Sequence, residues 1–126
     1  MKLLVDANVL VAALVEEDDG PATSLLNADH EFCTALLTQM EVRTLLTKKK
    51  RVELAEVERV IDGIAARTDV YATEREDVLN AYRLQQETLL YPVDCLLLSL
   101  ADGLDARLVT FDAELQDAGA VAPGNL

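Results

Sequence analysis

The stretch Leu3-Leu4-Val5-Asp6-Ala7-Asn8-Val9-Leu10-Val11-Ala12-Ala13-Leu14-Val15 decides the fold. Its apolar character breaks only at Asp6 and Asn8, so residues 2–5 read as a short buried strand and residues 9–15 as a helix packed on it. An unpaired carboxylate inside such a run costs several kcal/mol unless a hydrogen bond or a cation compensates it. Asp6 therefore has two open uses: it caps the helix that starts near Ala7, or it holds a metal ion. Asn8 either supports Asp6 and its metal or is a helix-start residue. At thirteen residues the run is shorter than the roughly 20 a membrane-spanning helix needs, and no span is expected.

Working outward, residues 16–20 read as an acidic turn, and Pro21 opens a short helix to about Asn27. Residues 31–34 are strand-like, and a third helix is expected from Thr38 to about Lys48. Leu54, Val57, Val60, Ile61 and Ile64 recur at helical spacing within 53–67, the strongest periodic signal in the chain. A strand is expected at 70–73, then a helix over 76–90 with Val78, Leu79, Tyr82 and Leu89 inward. A helix follows from Pro92 to Asp102, a strand at 106–111, a short helix at 112–118 and a last strand at 120–122. Strands alternating with helices predict one α/β domain over 1–126, with a central parallel sheet of four to five strands covered by helices on both faces. In such sheets the functional crevice lies beyond the carboxyl ends of the strands. Asp6 and Asp112 both end strand-like segments, so they should meet at one sheet edge if those strands are neighbours.

The composition narrows the chemistry. The chain has 126 residues, 51% of them hydrophobic, with three prolines and five glycines, as a globular protein does. Asp6 lies too near the start for a signal peptide, which points to the cytoplasm. Cys33 and Cys95 lack CxxC spacing and sit among apolar neighbours, so both read as buried, reduced thiols. His30 is the only histidine, which removes most zinc sites and histidine-rich catalytic arrangements. Carboxylates must carry the chemistry.

Four acids stand at element starts between apolar segments: Asp6, Glu41, Asp94 and Asp112. Each has a structural explanation. Thr38-Gln39-Met40-Glu41 fits a capping box, Asp94 stands in the first turn after Pro92, where the helix dipole favours a carboxylate, and Asp112 can cap the helix that follows it. As a set they point further, because four converging carboxylates repel and take up protons unless a divalent cation lies among them. Mg²⁺ or Mn²⁺ suits an all-oxygen site of this kind.

The segments LLVDANVLVAAL (3–14), TQMEVRTLL (38–46), YPVDCLLLSLA (91–101) and LVTFDAEL (108–115) together resemble the PIN-domain family, and in size a VapC-type toxin ribonuclease. The resemblance places the family's four acidic positions on Asp6, Glu41, Asp94 and Asp112, with Asn8 and Thr110 as supporting polar positions. It implies hydrolysis of RNA phosphodiesters with one or two Mg²⁺ or Mn²⁺ ions, a homodimer and a cognate antitoxin. Cys95 departs from the small residue often found after the third acid. The main alternative is a PIN-like scaffold that binds a partner protein without catalysis. A haloacid-dehalogenase-like phosphatase expects Asp-x-Asp where this chain has Asp6-Ala7-Asn8, and a response-regulator receiver expects a late lysine where none follows Lys50.

The formal net charge of −12 and pI near 4.3 oppose RNA binding, which draws its affinity from Lys and Arg. One compensation is local: Lys48, Lys49, Lys50 and Arg51 form a basic block that, with Arg43, supplies the candidate RNA-contacting cations. The same block also reads as a solvated helix end. The other is a high-salt cytoplasm, where the screening length falls to about 3 Å at 1 M. Thermal denaturation across a salt series tests it: stability should rise from dilute buffer into molar salt, and greatest stability in dilute buffer rejects the idea.

Overall fold

In the computed structural model, which describes residues 1–17 and 19–126, the opening run folds as its pattern requires. Strand β1 (Lys2–Val5) leads through Asp6 into helix α1 (Ala7–Leu14). Helix α2 (Pro21–Leu26) starts at Pro21, whose ring pre-sets the first helical φ. The acidic turn expected at 16–20 includes residue 18, which lies outside the described residues. Strand β2 (Glu31–Ala35) then runs parallel to β1.

Helix α3 (Leu36–Thr44) follows directly and continues as a π-helical turn, Leu45–Lys49. It starts two residues before the expected Thr38, with Ala35 at the N-cap. Thr38 and Glu41 therefore form no capping box, and the Thr38 hydroxyl is buried without a hydrogen-bond partner. Helix α4 (Leu54–Arg67) buries Val57, Val60 and Ile64, while Leu54 at its first position is exposed.

Strand β3 (Asp69–Tyr71) begins one residue earlier than expected. Helix α5 (Arg75–Thr88) opens with a reciprocal capping box between Glu74 and Asp77. Its inward face differs from the expectation. Ala81 is buried with Val78 and Leu84 packed beside it, whereas Leu79, Tyr82 and, just past the helix, Leu89 are exposed. Helix α6 (Pro92–Gly103) pairs with α5, and although Tyr82 is exposed it borders a small hollow between the two helices with Val78, Ala81, Val93 and Leu96. Strand β4 is shorter than expected (Arg107–Val109). Helix α7 (Ala113–Asp117) follows, the expected final strand is a single parallel bridge from Val121 to Val109, and a 3₁₀ turn spans Pro123–Asn125.

The four strands form a parallel sheet in the order β3-β2-β1-β4. Alternation along β1 divides the core in two. Leu3 and Val5 pack with Val9, Leu10, Val42, Leu46 and Ile64 on one face. Leu4 packs with Cys33, Leu97, Leu100 and Leu115 on the other. Strands buried on both faces read as continuous apolar runs, which is why β1 carries no polar residue between Lys2 at its start and Asp6.

Both cysteines are free and buried. Cys33 donates to the Leu3 carbonyl at 3.3 Å, and burial pushes its thiol pKa up to about 11. Strand order reverses at β1, so the crevice of a doubly wound sheet opens beyond its carboxyl end. No helix among the described residues is long and apolar enough to cross a membrane.

The two-sided burial of β1 gives a direct test. Leu4→Ala should cost about 2–5 kcal/mol in chemical denaturation, whereas the exposed Leu54→Ala should stay within about 0.5 kcal/mol of the parent.

Candidate active site

The site begins with a hydroxyl. Thr110 follows β4 and is fully buried. Its Oγ1 donates to Asp6 Oδ2 at 2.8 Å and accepts from Asn8 Nδ2 at 3.1 Å and from the Asp112 backbone N–H at 3.1 Å. A hydroxyl offers one donor and two acceptor positions, so Thr110 is fully committed. Asn8 closes the arrangement by accepting the Phe111 N–H on Oδ1 at 3.1 Å. The strand neighbours β1 and β4 thus bring Asp6 and Asp112 to one sheet edge.

Asp6 is the N-cap of α1, and its Oδ1 accepts the Ala7 N–H at 2.7 Å. Capping and site membership are compatible because the two oxygens divide the work. The carboxyl is 7% exposed. Burial raises its pKa, the hydrogen bonds from Thr110 and Ala7 oppose the rise, and the charge of Asp112 adds to it. Asp112 caps α7 in turn, Oδ1 accepting from Glu114 N–H at 2.9 Å and Leu115 N–H at 3.4 Å. Its Oδ2 makes no hydrogen bond among the described residues.

Asp94 and Glu41 approach from helices. Asp94 occupies the first turn of α6, set by Pro92, and Glu41 lies in the second turn of α3. Neither carboxylate has a hydrogen bond or ion pair among the described residues. Burial, then Asp112, Asp6 and Glu114, raise the pKa of Asp94. Burial, then Asp6 and Asp94, raise that of Glu41, against the opposing charge of Lys49.

All four acids line one cleft of about 610 Å³. Its remaining lining includes no Lys, Arg or His, and its apolar part includes Leu37 and Met40 from α3 and Tyr91 and Val93 from the start of α6. Among the described residues, no three of the acids, cysteines and the histidine stand close enough to share a metal ion as positioned. The donors suit a hard divalent cation in kind, being oxygens only and mutually repelling, with Asp6 buried, Asp94 and Asp112 half-buried and Glu41 exposed.

The basic candidates lie elsewhere. Arg43 pairs with Glu58 at 2.7 Å and Lys50 with Glu16 at 3.5 Å. Lys48, Lys49, Lys50 and Arg51 close the π-helical segment, and none of these cations lines the cleft. Lys49 comes near enough for its charge to act on Glu41. One acid went unread in the sequence: Glu114, two residues past Asp112, is near enough to act on Asp94. Its place in the first turn of a helix capped by a site residue was the available signal.

A family profile described as the PIN domain matches residues 3–121. No curated protein matches the sequence. Among solved structures, the fold is similar to VapC20 of Mycobacterium tuberculosis, described as a Sarcin-Ricin loop cleaving toxin. The two are 18% identical with a TM-score of 0.79, over 94% of this chain and 96% of that one. It is also similar to a chain of a toxin-antitoxin complex from Klebsiella pneumoniae, at 20% identity and a TM-score of 0.78, over 96% and 97% of the two chains. A third, from the VapBC2 structure of Rickettsia felis bound to a promoter DNA fragment, shares 18% identity and a TM-score of 0.74, over 97% and 96%.

The raised pKa values of Asp94 and Glu41 mean that the folded state binds their protons more tightly than the unfolded chain does. Their contribution to stability is therefore most favourable below the ordinary carboxylate range and is lost as pH rises through the folded pKa values. Asp94→Asn should consequently raise Tm at neutral pH in EDTA by about 2–5 °C. That gain should shrink as the pH falls through the carboxylate range. A Tm below the parent's at neutral pH would show that the charge is compensated.

Proposed function

The chain belongs to the PIN-domain family, and from that premise we propose that it is a divalent-metal-dependent endoribonuclease, the toxin of a toxin-antitoxin pair. One observation carries the reading: Asp6, Glu41, Asp94 and Asp112, from four separate elements, line a single cleft that no basic side chain lines. A structural set of caps would have no reason to converge, and convergence of unpaired acids is unfavourable without a cation.

In this reading the four acids hold Mg²⁺ or Mn²⁺. When bound, the cation supplies activation of the attacking water and neutralisation of charge on the phosphate. The protein's own groups do the rest. Thr110 fixes the rotamer of Asp6 by holding Oδ2, while Asn8 holds Thr110 and the loop that carries Asp112. Asp112 Oδ2 is left to accept a hydrogen bond from a water or to take a cation. Asp94 and Glu41, whose pKa values burial and the neighbouring acids raise, would serve as ligands in their ionised forms, and a cation would offset the repulsion among them.

Residues 1–126 act as one PIN-like unit in the cytoplasm, as a homodimer. An acidic cleft also suits inhibition by an antitoxin segment that inserts an arginine, whose planar fork matches carboxylates. Arg43, Lys48, Lys49, Lys50 and Arg51 are the cations available to distal RNA phosphates, and the charge of Lys49 acts on Glu41. The spacing of the carboxylates as positioned favours one competing reading, a non-catalytic PIN-like module that binds a partner protein.

Incubation of purified protein with mixed RNA decides between them. Cleavage should appear with Mn²⁺ and vanish in EDTA. Loss of a side chain that merely orients a ligand costs about 10- to 100-fold, so Thr110→Val should fall in that range and Asp6→Asn at or beyond its upper end. Asp6→Asn keeps an oxygen to cap α1, so its circular dichroism should match the parent's. Undiminished cleavage by Asp6→Asn, or cleavage indifferent to EDTA, rejects the assignment.

A further inference from the structure

The same cleft has a wall that the acids do not explain. Tyr91 is 73% exposed, Met40 61% and Val93 45%, and all three line the cleft beside Glu41 and Asp94. Exposed apolar side chains scattered singly need no account, but three that share the lining of one cleft offer a binding surface. Tyr91 is the most exposed aromatic residue of a chain that has only five and no tryptophan.

Its mounting is rigid. Leu90 before it is buried in the core, Pro92 after it fixes the first turn of α6, and its carbonyl accepts the Cys95 N–H at 3.0 Å. The ring therefore stands at the N-cap of α6, one turn from Asp94, with few side-chain torsions left to order on binding.

Charge decides what this wall can hold. A cleft lined by four acids and no cationic side chain offers a phosphate nothing to bind except the cation. What remains of a nucleotide beside the scissile phosphate is its sugar and its base, and the base presents a neutral π-face. Stacking on an aromatic side chain requires that the base be out of a duplex.

We propose that Tyr91, with Met40 and Val93 lining the same cleft, is a stacking platform for an unpaired base next to the cleaved phosphodiester. The proposal rests on the ribonuclease reading and adds the means of recognition. Affinity then comes from stacking more than from phosphate contacts, which reconciles a strongly acidic chain with RNA. Tyr91 is a specificity-determining residue here; the acids remain the catalytic ones.

The test uses a short single-stranded RNA that the parent protein binds in Mn²⁺, the same strand with abasic sites, and its duplex. Binding is followed by anisotropy of labelled RNA and cleavage by KM and kcat. Loss of one stacked base lowers affinity about 5- to 100-fold, so Tyr91→Ala and the apolar but ringless Tyr91→Leu should raise KM by that factor. Tyr91→Trp should restore it. An abasic site should weaken the parent and leave Tyr91→Ala little changed, because the two removals delete one contact. The duplex should bind poorly, and the salt dependence should be shallow, equivalent to about one or two phosphates.

The outcomes separate the two ideas. Cleavage by the parent with KM unmoved in Tyr91→Ala overturns the platform and leaves the nuclease standing. Stacking-dependent binding without any cleavage overturns the nuclease and keeps the platform. No RNA binding at all rejects both. A change of oligomeric state in Tyr91→Ala shows that a second copy covers the wall, and that too overturns the proposal.

Discussion

The hydroxyl of Thr110 is the point on which the site turns. It ties the end of β1, the first turn of α1 and the start of α7 into one rigid corner through three hydrogen bonds, to Asp6, Asn8 and Asp112. Each partner is itself fixed at its other end: Asp6 to the Ala7 amide, Asn8 to Phe111, Asp112 to the amides that open α7. Buried polar networks with every member satisfied rigidify what they join. The parallel sheet makes this corner possible, because β1 and β4 run side by side and release their chains at the same edge.

The opposite side of the cleft is built on another principle. Among the described residues Glu41 and Asp94 are held by their helices and not by hydrogen bonds; beyond the effect of burial, Asp94 feels the charges of Asp112, Asp6 and Glu114, and Glu41 those of Asp6 and Asp94 against Lys49. A folded state that gathers like charges gives up stability for the sake of what the charges can bind, a common exchange at functional sites. The two apolar layers on either face of the sheet carry that cost. The π-helical turn after α3 also belongs to this side, and such irregularities recur near functional sites.

Much of this was legible in the residues. The apolar opening run with its one early acid gave β1, the turn and α1, because a strand buried on both faces and a helix cap leave distinct patterns. Strand alternation with helices yielded the layered fold. What failed did so for tertiary reasons. On helix α5 the small Ala81 is buried where the larger Leu79 and Tyr82 stay exposed, as does Leu89 just past the helix, because α5 packs closely on α6 and leaves room only for the smaller side chain. The Thr38 to Glu41 pattern matched a capping box, yet β2 passes into α3 without a loop, and the helix begins before the motif. For the site, the four acids could be named one by one, but their convergence depended on strand order, which periodicity does not encode. Tyr91 escaped notice because an exposed aromatic has no signature apart from its neighbours in space.

The corner at Thr110 joins side chains 104 positions apart in the chain. During synthesis, a ribosome-bound polypeptide that stops short of β4 lacks both Thr110 and Asp112, so Asp6, at the end of a strand that has only β2 beside it, has neither its hydroxyl partner nor the acid of the neighbouring strand. The corner that fixes Asp6 and Asp112 is thus completed only once the last strand is docked, late in translation.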